Sequence, residues 1–113
     1  MTLAEFAKLV QASGLLTEER ESALRAKSGV DSAVRYANYL VAKCELTDWQ
    51  ADKLITGKWK GFFVDHYKLL SHLDYGDNYS RYVAQDTQTG AVTILKFHPP
   101  QIRYDVEPRD ATG

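Results

Sequence analysis

Histidine and cysteine are the first residues to consider for catalysis or metal binding, and their spacing in this sequence favours neither. His66 and His72 lie on the same face of a predicted strand, about 20 Å apart, so they cannot share a metal ion. His98 is isolated from other metal-binding residues. The single cysteine, Cys44, excludes an internal disulfide, and we expect it to be a buried or half-buried, unreactive thiol late in a helix.

The first half of the sequence has apolar residues at helical spacing and capping signals that divide it into four helices. Thr17, Asp31 and Thr47 are the predicted N-caps of the second, third and fourth helices. Thr47 and Gln50 have the spacing of a capping box, and Gly57 stands where a helix-ending glycine belongs. The order helix, turn, capped helix occurs twice, which predicts two helical hairpins stacked into a small four-helix module.

The second half changes to the period of β-strands. Three strands are predicted, at residues 67–73, 80–85 and 92–97. Pro99 and Pro100 follow the third strand and should end it. We expect an antiparallel meander whose third strand, Val92–Phe97, is an edge that supports self-association with a second copy. The alternative is that residues 101–106 double back as a fourth strand.

Large aromatic residues connect the two halves. Trp59, Phe62 and Phe63 fall within five residues, and side chains of this kind are core residues more often than exposed ones. Together with Trp49 they are expected to dock the helical module on the sheet. The predicted fold class is α+β, a four-helix module packed on a three-stranded antiparallel sheet. Its predicted parts are a helical module at 1–57, an aromatic connector at 58–66, a β-meander at 67–98 and a flexible tail at 99–113.

Composition narrows the classes of partner. The 113 residues carry 14 basic and 15 acidic side chains, for a net charge of −1, which gives no electrostatic footprint for nucleic acid or an anionic membrane. No apolar run approaches the about 20 residues of a membrane span, and the N-terminus lacks a signal-peptide pattern. We expect a cytoplasmic protein with a protein partner, and no nucleic-acid or membrane partner.

Several short motifs, in a fixed order, carry a resemblance to a known family. They are Tyr-x-Leu-Leu at 67–70, Tyr-x-Ala at 82–84, Thr-Gly at 89–90 and Ile-Leu-Lys at 94–96. This set resembles the opening strands of the nucleotide lobe in bacterial, eukaryotic-like serine/threonine protein kinases. Leu-Thr-x-x-Gln-Ala at 46–51 and Gly-x-x-x-Gly-Phe-Phe at 57–63 are similar to an extension that precedes some of those kinase domains.

The resemblance implies a nucleotide site, with Gly76, Ala84 and Lys96 as the matching residues of this chain. In an active kinase the loop between the first two strands has three glycines, which let backbone amides approach the phosphates of ATP. Here only Gly76 remains of the three. The site is therefore expected to be degenerate, and ATP with magnesium would be a ligand only if the chain were a nucleotide sensor.

Four substitutions weigh against phosphate binding at this degenerate site. Asp74 and Asp77 add negative charge to the loop, which opposes the binding of an anion. Arg81 stands where kinases have a valine that packs on the base, and Ile94 where they have a small alanine. Strand parity predicts that Arg81, Ile94 and Lys96 share one face of the sheet. We therefore favour the interpretation that Lys96 is a solvated lysine at the end of a strand over the interpretation that it binds phosphate.

The sequence contains neither the His-Arg-Asp nor the Asp-Phe-Gly motif of a second kinase lobe, and Glu107 is not expected to act as the helix glutamate that pairs with the lysine. The resemblance thus implies a non-catalytic N-terminal portion of a kinase-like protein or pseudokinase, acting in docking, regulation or oligomerisation without a cofactor. Two alternatives stay open, a stand-alone small adaptor and a weak ATP sensor. A reading frame that continues past residue 113 favours the kinase parent, and a stop codon there favours the adaptor.

Overall fold

A computed structural model describes residues 1–98 and 103–108 of the chain. Helices and strands follow one another as α1 (Leu3–Ser13), α2 (Glu18–Ser28), α3 (Ala33–Ala42), α4 (Asp48–Ile55), β1 (Phe63–Val64), β2 (Tyr67–Tyr75), β3 (Ser80–Asp86), β4 (Val92–Phe97) and β5 (Tyr104–Pro108). The α+β class is therefore confirmed. The chain divides into two compact units, the helical unit Met1–Phe62 and the sheet unit that begins at Phe63.

Side-chain caps fix the beginnings of the helices. Thr17 and Thr47 accept hydrogen bonds from the backbone of Arg20 and Gln50, so both predicted caps are confirmed, and Thr47 with Gln50 forms the predicted capping box. The third cap is Ser32 rather than Asp31, because the Ser32 hydroxyl is the group that accepts from the Arg35 amide, at 3.2 Å. Gly57 follows α4 with a left-handed φ of 91°, as predicted for a glycine that ends a helix.

The core of the helical unit is formed by apolar side chains from all four helices and from Phe62. Its fully buried side chains include Phe6, Val10, Tyr36, Leu40 and Leu54. The rings of Phe6 and Tyr36 meet edge to face, with centroids 6.0 Å apart. Burial of each large side chain contributes about 1.5–3 kcal/mol, so this cluster is the main source of stability in the unit.

A polar network is buried beside this core. The carboxylate of Glu21 is inaccessible to solvent and accepts hydrogen bonds from Gln11 Nε2 at 2.6 Å, Tyr36 Oη at 2.7 Å and Arg25 Nε at 3.0 Å. Burial, together with the hydrogen bond to Glu21, raises the pKa of Tyr36 well above its usual range. Because the carboxylate has donors from three side chains, its charge is compensated, and the network ties α1, α2 and α3 together.

The sheet unit contains a five-stranded antiparallel sheet in the order β1-β2-β3-β4-β5, so the expectation of three strands is wrong. β5 pairs with β4 on the side opposite to β3. Val92–Phe97 is therefore not an edge strand, which removes the basis for self-association through it, although self-association as such stays a prediction. The structure instead agrees with the alternative in which the chain after Pro100 doubles back as a further strand, because β5 begins at Tyr104, inside the expected tail, and pairs with β4.

The sheet curls so that its last strand returns toward its first turn. The Tyr104 hydroxyl donates to the Asp65 carboxylate at 2.5 Å, and its ring meets that of Tyr67 edge to face, with centroids 6.0 Å apart. The hydrogen bond to Asp65 raises the pKa of Tyr104 to about 12. Leu69, Ala84 and Leu95 are buried on the face of the sheet that this curl encloses.

Three further expectations meet different outcomes. Cys44 is exposed, with a left-handed φ of 61° in the turn after α3, so its expected burial is wrong. The predicted effect of Pro99 and Pro100, like most of the predicted tail, lies outside the described residues. Among the described helices, none combines the length and the apolar content needed to cross a membrane.

Candidate functional site

The loop between β2 and β3 is positioned by two irregularities in the pairing of those strands. Register shifts occur in β2 between Leu69 and Ser71 and between His72 and Asp74. Each shift adds one residue to β2 relative to β3, as a β-bulge does. Their combined effect brings Asp74 directly opposite Arg81. The bulges thus place at one end of the sheet two of the residues that depart from the kinase pattern.

Arg81 is held by two carboxylates. Two nitrogens of its guanidinium donate to the two oxygens of Asp74, at 2.7 and 2.5 Å, and the third lies 3.4 Å from a carboxylate oxygen of Glu107 on β5. The hydrogen bonds from Arg81 hold the pKa of Asp74 below its usual range, and the Asp74 carboxylate raises the pKa of Arg81. A fork-to-fork pair of this kind fixes the geometry of both side chains. Glu107 therefore pairs with Arg81 rather than with Lys96.

Lys96 lies against an aromatic ring contributed by the same loop. Its ammonium nitrogen is 4.5 Å from the centroid of the Tyr79 ring, within the range of a cation–π interaction. Tyr79 also packs on Gly76, where an added Cβ would come within 2.2 Å of the ring. The backbone of the two residues is joined by a hydrogen bond of 2.9 Å from the Gly76 amide. Gly76 therefore gives room to a side chain of the protein itself. We call Asp74, Gly76, Tyr79, Arg81, Lys96 and Glu107 the loop cluster.

Charges of both signs share the face of the sheet that carries Lys96. Arg81 pairs in register with Lys96, and Ile94 is two residues away on the same strand, so the predicted common face of these three residues is confirmed. Asp105 lies opposite Lys96, and Glu107 opposite Ile94. With Asp74, these paired positions carry three carboxylates and two cations. Their combined charge is thus slightly negative.

Ala84, the third residue assigned to the nucleotide site by resemblance, lies on the other face. It pairs with Leu69 and Thr93, whose side chains alternate with those of the Lys96 face, and it is completely buried. The structure therefore brings Gly76 and Lys96 together through Tyr79 but does not bring Ala84 to them.

The four aromatic residues predicted to dock the two halves have different environments. Phe62 is 2% exposed and belongs to the core of the helical unit, where Trp49 meets it edge to face with centroids 5.6 Å apart. Trp59 is 37% exposed, with Lys60 over its ring at 5.1 Å. Phe63 is 41% exposed and begins β1. Phe62 and Trp49 thus pack within one unit, and docking by Trp59 and Phe63 stays a prediction.

Tyr79 and Glu107 are the members of the loop cluster that the sequence analysis did not assign to the nucleotide site. A signal existed for Tyr79, because a bulky aromatic residue falls where the kinase pattern has its third glycine. Glu107 gave no such signal, because its contact with Arg81 depends on the pairing of β5 with β4.

Groups of three histidine, cysteine, aspartate or glutamate side chains arranged to hold a metal ion do not occur among residues 1–98 and 103–108. This leaves the cofactor prediction untested. Comparison of the chain with protein-family models, with curated proteins and with solved structures finds no match. The assignment of a function therefore depends on the geometry of the chain and on the resemblance of its motifs.

Proposed function

We propose that this chain is a non-catalytic docking or regulatory module of a serine/threonine kinase-like protein, with a nucleotide face that its own side chains occupy. The observation that carries the proposal is the contact between Lys96 and Tyr79, 4.5 Å from nitrogen to ring centroid. A lysine that binds phosphate has to present its ammonium to the ligand. Here the loop that would cover the phosphates covers the lysine instead.

The charges around the loop cluster support the same proposal. Arg81 would be the second cation available to a phosphate, but Asp74 engages two of its nitrogens and Glu107 approaches a third. An incoming anion would have to compete with both carboxylates for it. Preorganised anion sites present amides and unpaired cations. In the loop cluster the charges of Asp74, Arg81 and Glu107 compensate one another, as expected of side chains that stabilise the end of a sheet rather than bind a ligand.

The test is thermal unfolding of the full chain with Mg-ATP. A ligand at 100 times its dissociation constant stabilises a protein by about 2.7 kcal/mol, which is a shift of several degrees for a unit of this size. We expect no saturable shift at millimolar Mg-ATP. A saturable shift that inorganic triphosphate does not reproduce, and that Lys96→Met abolishes while Lys68→Met on β2 preserves it, would overturn the proposal and favour the ATP-sensor alternative.

A gain-of-function variant makes the same test sharper. Asp74→Gly, Tyr79→Gly and Arg81→Val together restore the kinase pattern of the loop and release Lys96 from the ring. If the native loop is what excludes the nucleotide, this variant should bind Mg-ATP more tightly than the unmodified chain. Equal and measurable binding by both proteins would show that the loop side chains do not block the face.

A further inference from the structure

The helical unit has a groove between α2 and α3 that the proposed function does not use. It is open to solvent and has a volume of about 530 Å³, within the range of sites that bind small ligands. The residues that line it are Arg20, Ala23, Leu24 and Lys27 of α2, Tyr39 of α3, and Lys43 and Glu45 of the turn that follows α3. We call it the α2–α3 groove.

The α2 wall of the groove follows helical periodicity. Arg20, Ala23, Leu24 and Lys27 are spaced as i, i+3, i+4 and i+7, so they form one stripe along the helix. At a rise of 1.5 Å per residue, about 10 Å separates the levels of Arg20 and Lys27. Leu24, only 6% exposed, lies between the two cations and supplies an apolar floor. The α2 wall of the groove is thus apolar at its centre and has a basic side chain at each end.

The cations of the groove differ in what they already bind. Arg20 donates to Glu45 at 2.6 Å, which neutralises it and fixes one end wall. The Lys43 ammonium lies 5.7 Å from the centroid of the Tyr39 ring. Ion pairs within residues 1–98 and 103–108 involve neither Lys27 nor Lys43. Two exposed lysines on opposite walls are therefore available to an anionic ligand.

We propose that the α2–α3 groove binds an acidic peptide segment of a protein partner, with two carboxylate side chains three residues apart on either side of an apolar one. An extended chain advances about 3.3 Å per residue, so a three-residue spacing matches the separation of about 10 Å between the levels of Arg20 and Lys27. Side chains at that spacing point to opposite sides of the strand, so one carboxylate would face Lys27 of α2 and the other Lys43 of the turn after α3. The apolar side chain would lie on Leu24 and Tyr39.

The surroundings of the groove favour a short acidic motif over a long polyanion. Glu18 and Glu19 in the first turn of α2, next to Arg20 in sequence, would repel the continuing phosphates of a nucleic acid. The net charge of the whole chain, −1, adds no attraction at long range. A peptide with two carboxylates needs only the two lysines.

The proposal can be tested with the full chain and a defined probe, the peptide Gly-Glu-Leu-Ala-Glu-Gly carrying an N-terminal fluorophore. Fluorescence anisotropy should show saturable binding that weakens as salt is raised from 50 to 500 mM, since the contacts are ionic (about 10 Å screening length at 0.1 M). Lys27→Glu with Lys43→Glu should weaken it at least about tenfold. Lys8→Glu, an exposed charge reversal on α1, should leave the dissociation constant within about twofold.

Two controls separate the proposal from trivial results. The same peptide with glutamine in place of both glutamates should bind at least about tenfold more weakly. A quencher coupled to the single cysteine, Cys44, which is exposed and adjacent to Lys43, should reduce the fluorescence of the bound peptide and so locate it.

The proposal is overturned if binding does not saturate, if it survives the double lysine reversal in a variant with unchanged helical circular dichroism, or if Gly-Gln-Leu-Ala-Gln-Gly binds equally well. None of these outcomes depends on whether the sheet unit binds nucleotide.

Discussion

Tyr79 contacts both the loop glycine and the strand lysine, and substitution can separate the two contacts. In Gly76→Ala the new Cβ would lie 2.2 Å from the Tyr79 ring, so the ring has to move, which disturbs its contact with Lys96. We expect a loss of about 1 kcal/mol in the free energy of unfolding, as for a modest overpacking. In a Tyr79→Ala background the same change at Gly76 should cost much less. Denaturant unfolding of the four proteins measures this coupling, and equal costs in the two backgrounds would refute it.

The ion pair between Asp74 and Arg81 predicts a pH dependence of stability. Hydrogen bonds from Arg81 lower the pKa of the Asp74 carboxyl in the folded chain relative to the unfolded chain. The stability it contributes is therefore fully present above the unfolded pKa of about 3.9 and is lost as the pH falls through the lower, folded value. Asp74→Asn should be less stable than the unmodified chain at pH 7, and the two should converge toward pH 2. Urea unfolding at a series of pH values checks this, and a constant difference down to pH 2 would contradict it.

At the residue scale, the sequence predicted which positions depart from a phosphate-binding pattern but not what the new residues bind. The face shared by Arg81, Ile94 and Lys96 follows from strand parity alone and was predictable. The pairing of Arg81 with Asp74 was not, because it requires two bulges in β2 whose positions no residue pattern marks. The exposure of Cys44 was missed because α3 ends at Ala42, two residues before it.

At the scale of helices, Glu21 joins three of them through one buried carboxylate, so its removal should be costly. Glu21→Ala leaves Gln11 and Arg25 without their shared acceptor, and we expect a loss of about 3 kcal/mol, the lower end for breaking a buried pair because Arg25 reaches solvent. Ser22→Ala, its exposed neighbour in α2, should change stability by less than about 0.5 kcal/mol. Thermal and chemical unfolding of both variants measure the difference. A loss below 1 kcal/mol for Glu21→Ala would show that water replaces the carboxylate.

Helix boundaries were predictable because they depend on local groups. Thr17, Thr47 and Gly57 act within one turn of their own position, and their types identify their roles. The fifth strand was harder to predict than the helix ends, because two prolines precede it in sequence and because it depends on pairing with another strand, β4. The alternation of Tyr104 and Val106 indicated a strand, but nothing local weighed that signal against a frayed tail.

At the scale of the whole molecule, the boundary between the two units falls between adjacent phenylalanines. Aromatic content alone predicted one role for both, since composition cannot tell which core a connector residue joins. Phe62 is in the helical core with Trp49, whereas Phe63 is exposed at the start of β1. A helical module ending at residue 57 therefore lacks part of its own core. The helical unit therefore needs the chain as far as Phe62 to complete its core.

The fragment Met1–Phe62 should fold on its own, and a fragment of residues 1–57 should be much less stable, because only the longer one contains Phe62 against Trp49. In the full chain, Phe62→Ala should lower the free energy of unfolding by about 3–5 kcal/mol, as for a buried phenylalanine. Phe63 is 41% exposed, so Phe63→Ala should lower it by less than about 1 kcal/mol. Circular dichroism melts of the fragments and denaturant unfolding of the two variants test this. In a Trp59→Phe background, Trp49 is the remaining tryptophan, and its fluorescence reports on the helical core directly. Equal costs at the two phenylalanines would instead mean that both lie in one continuous core.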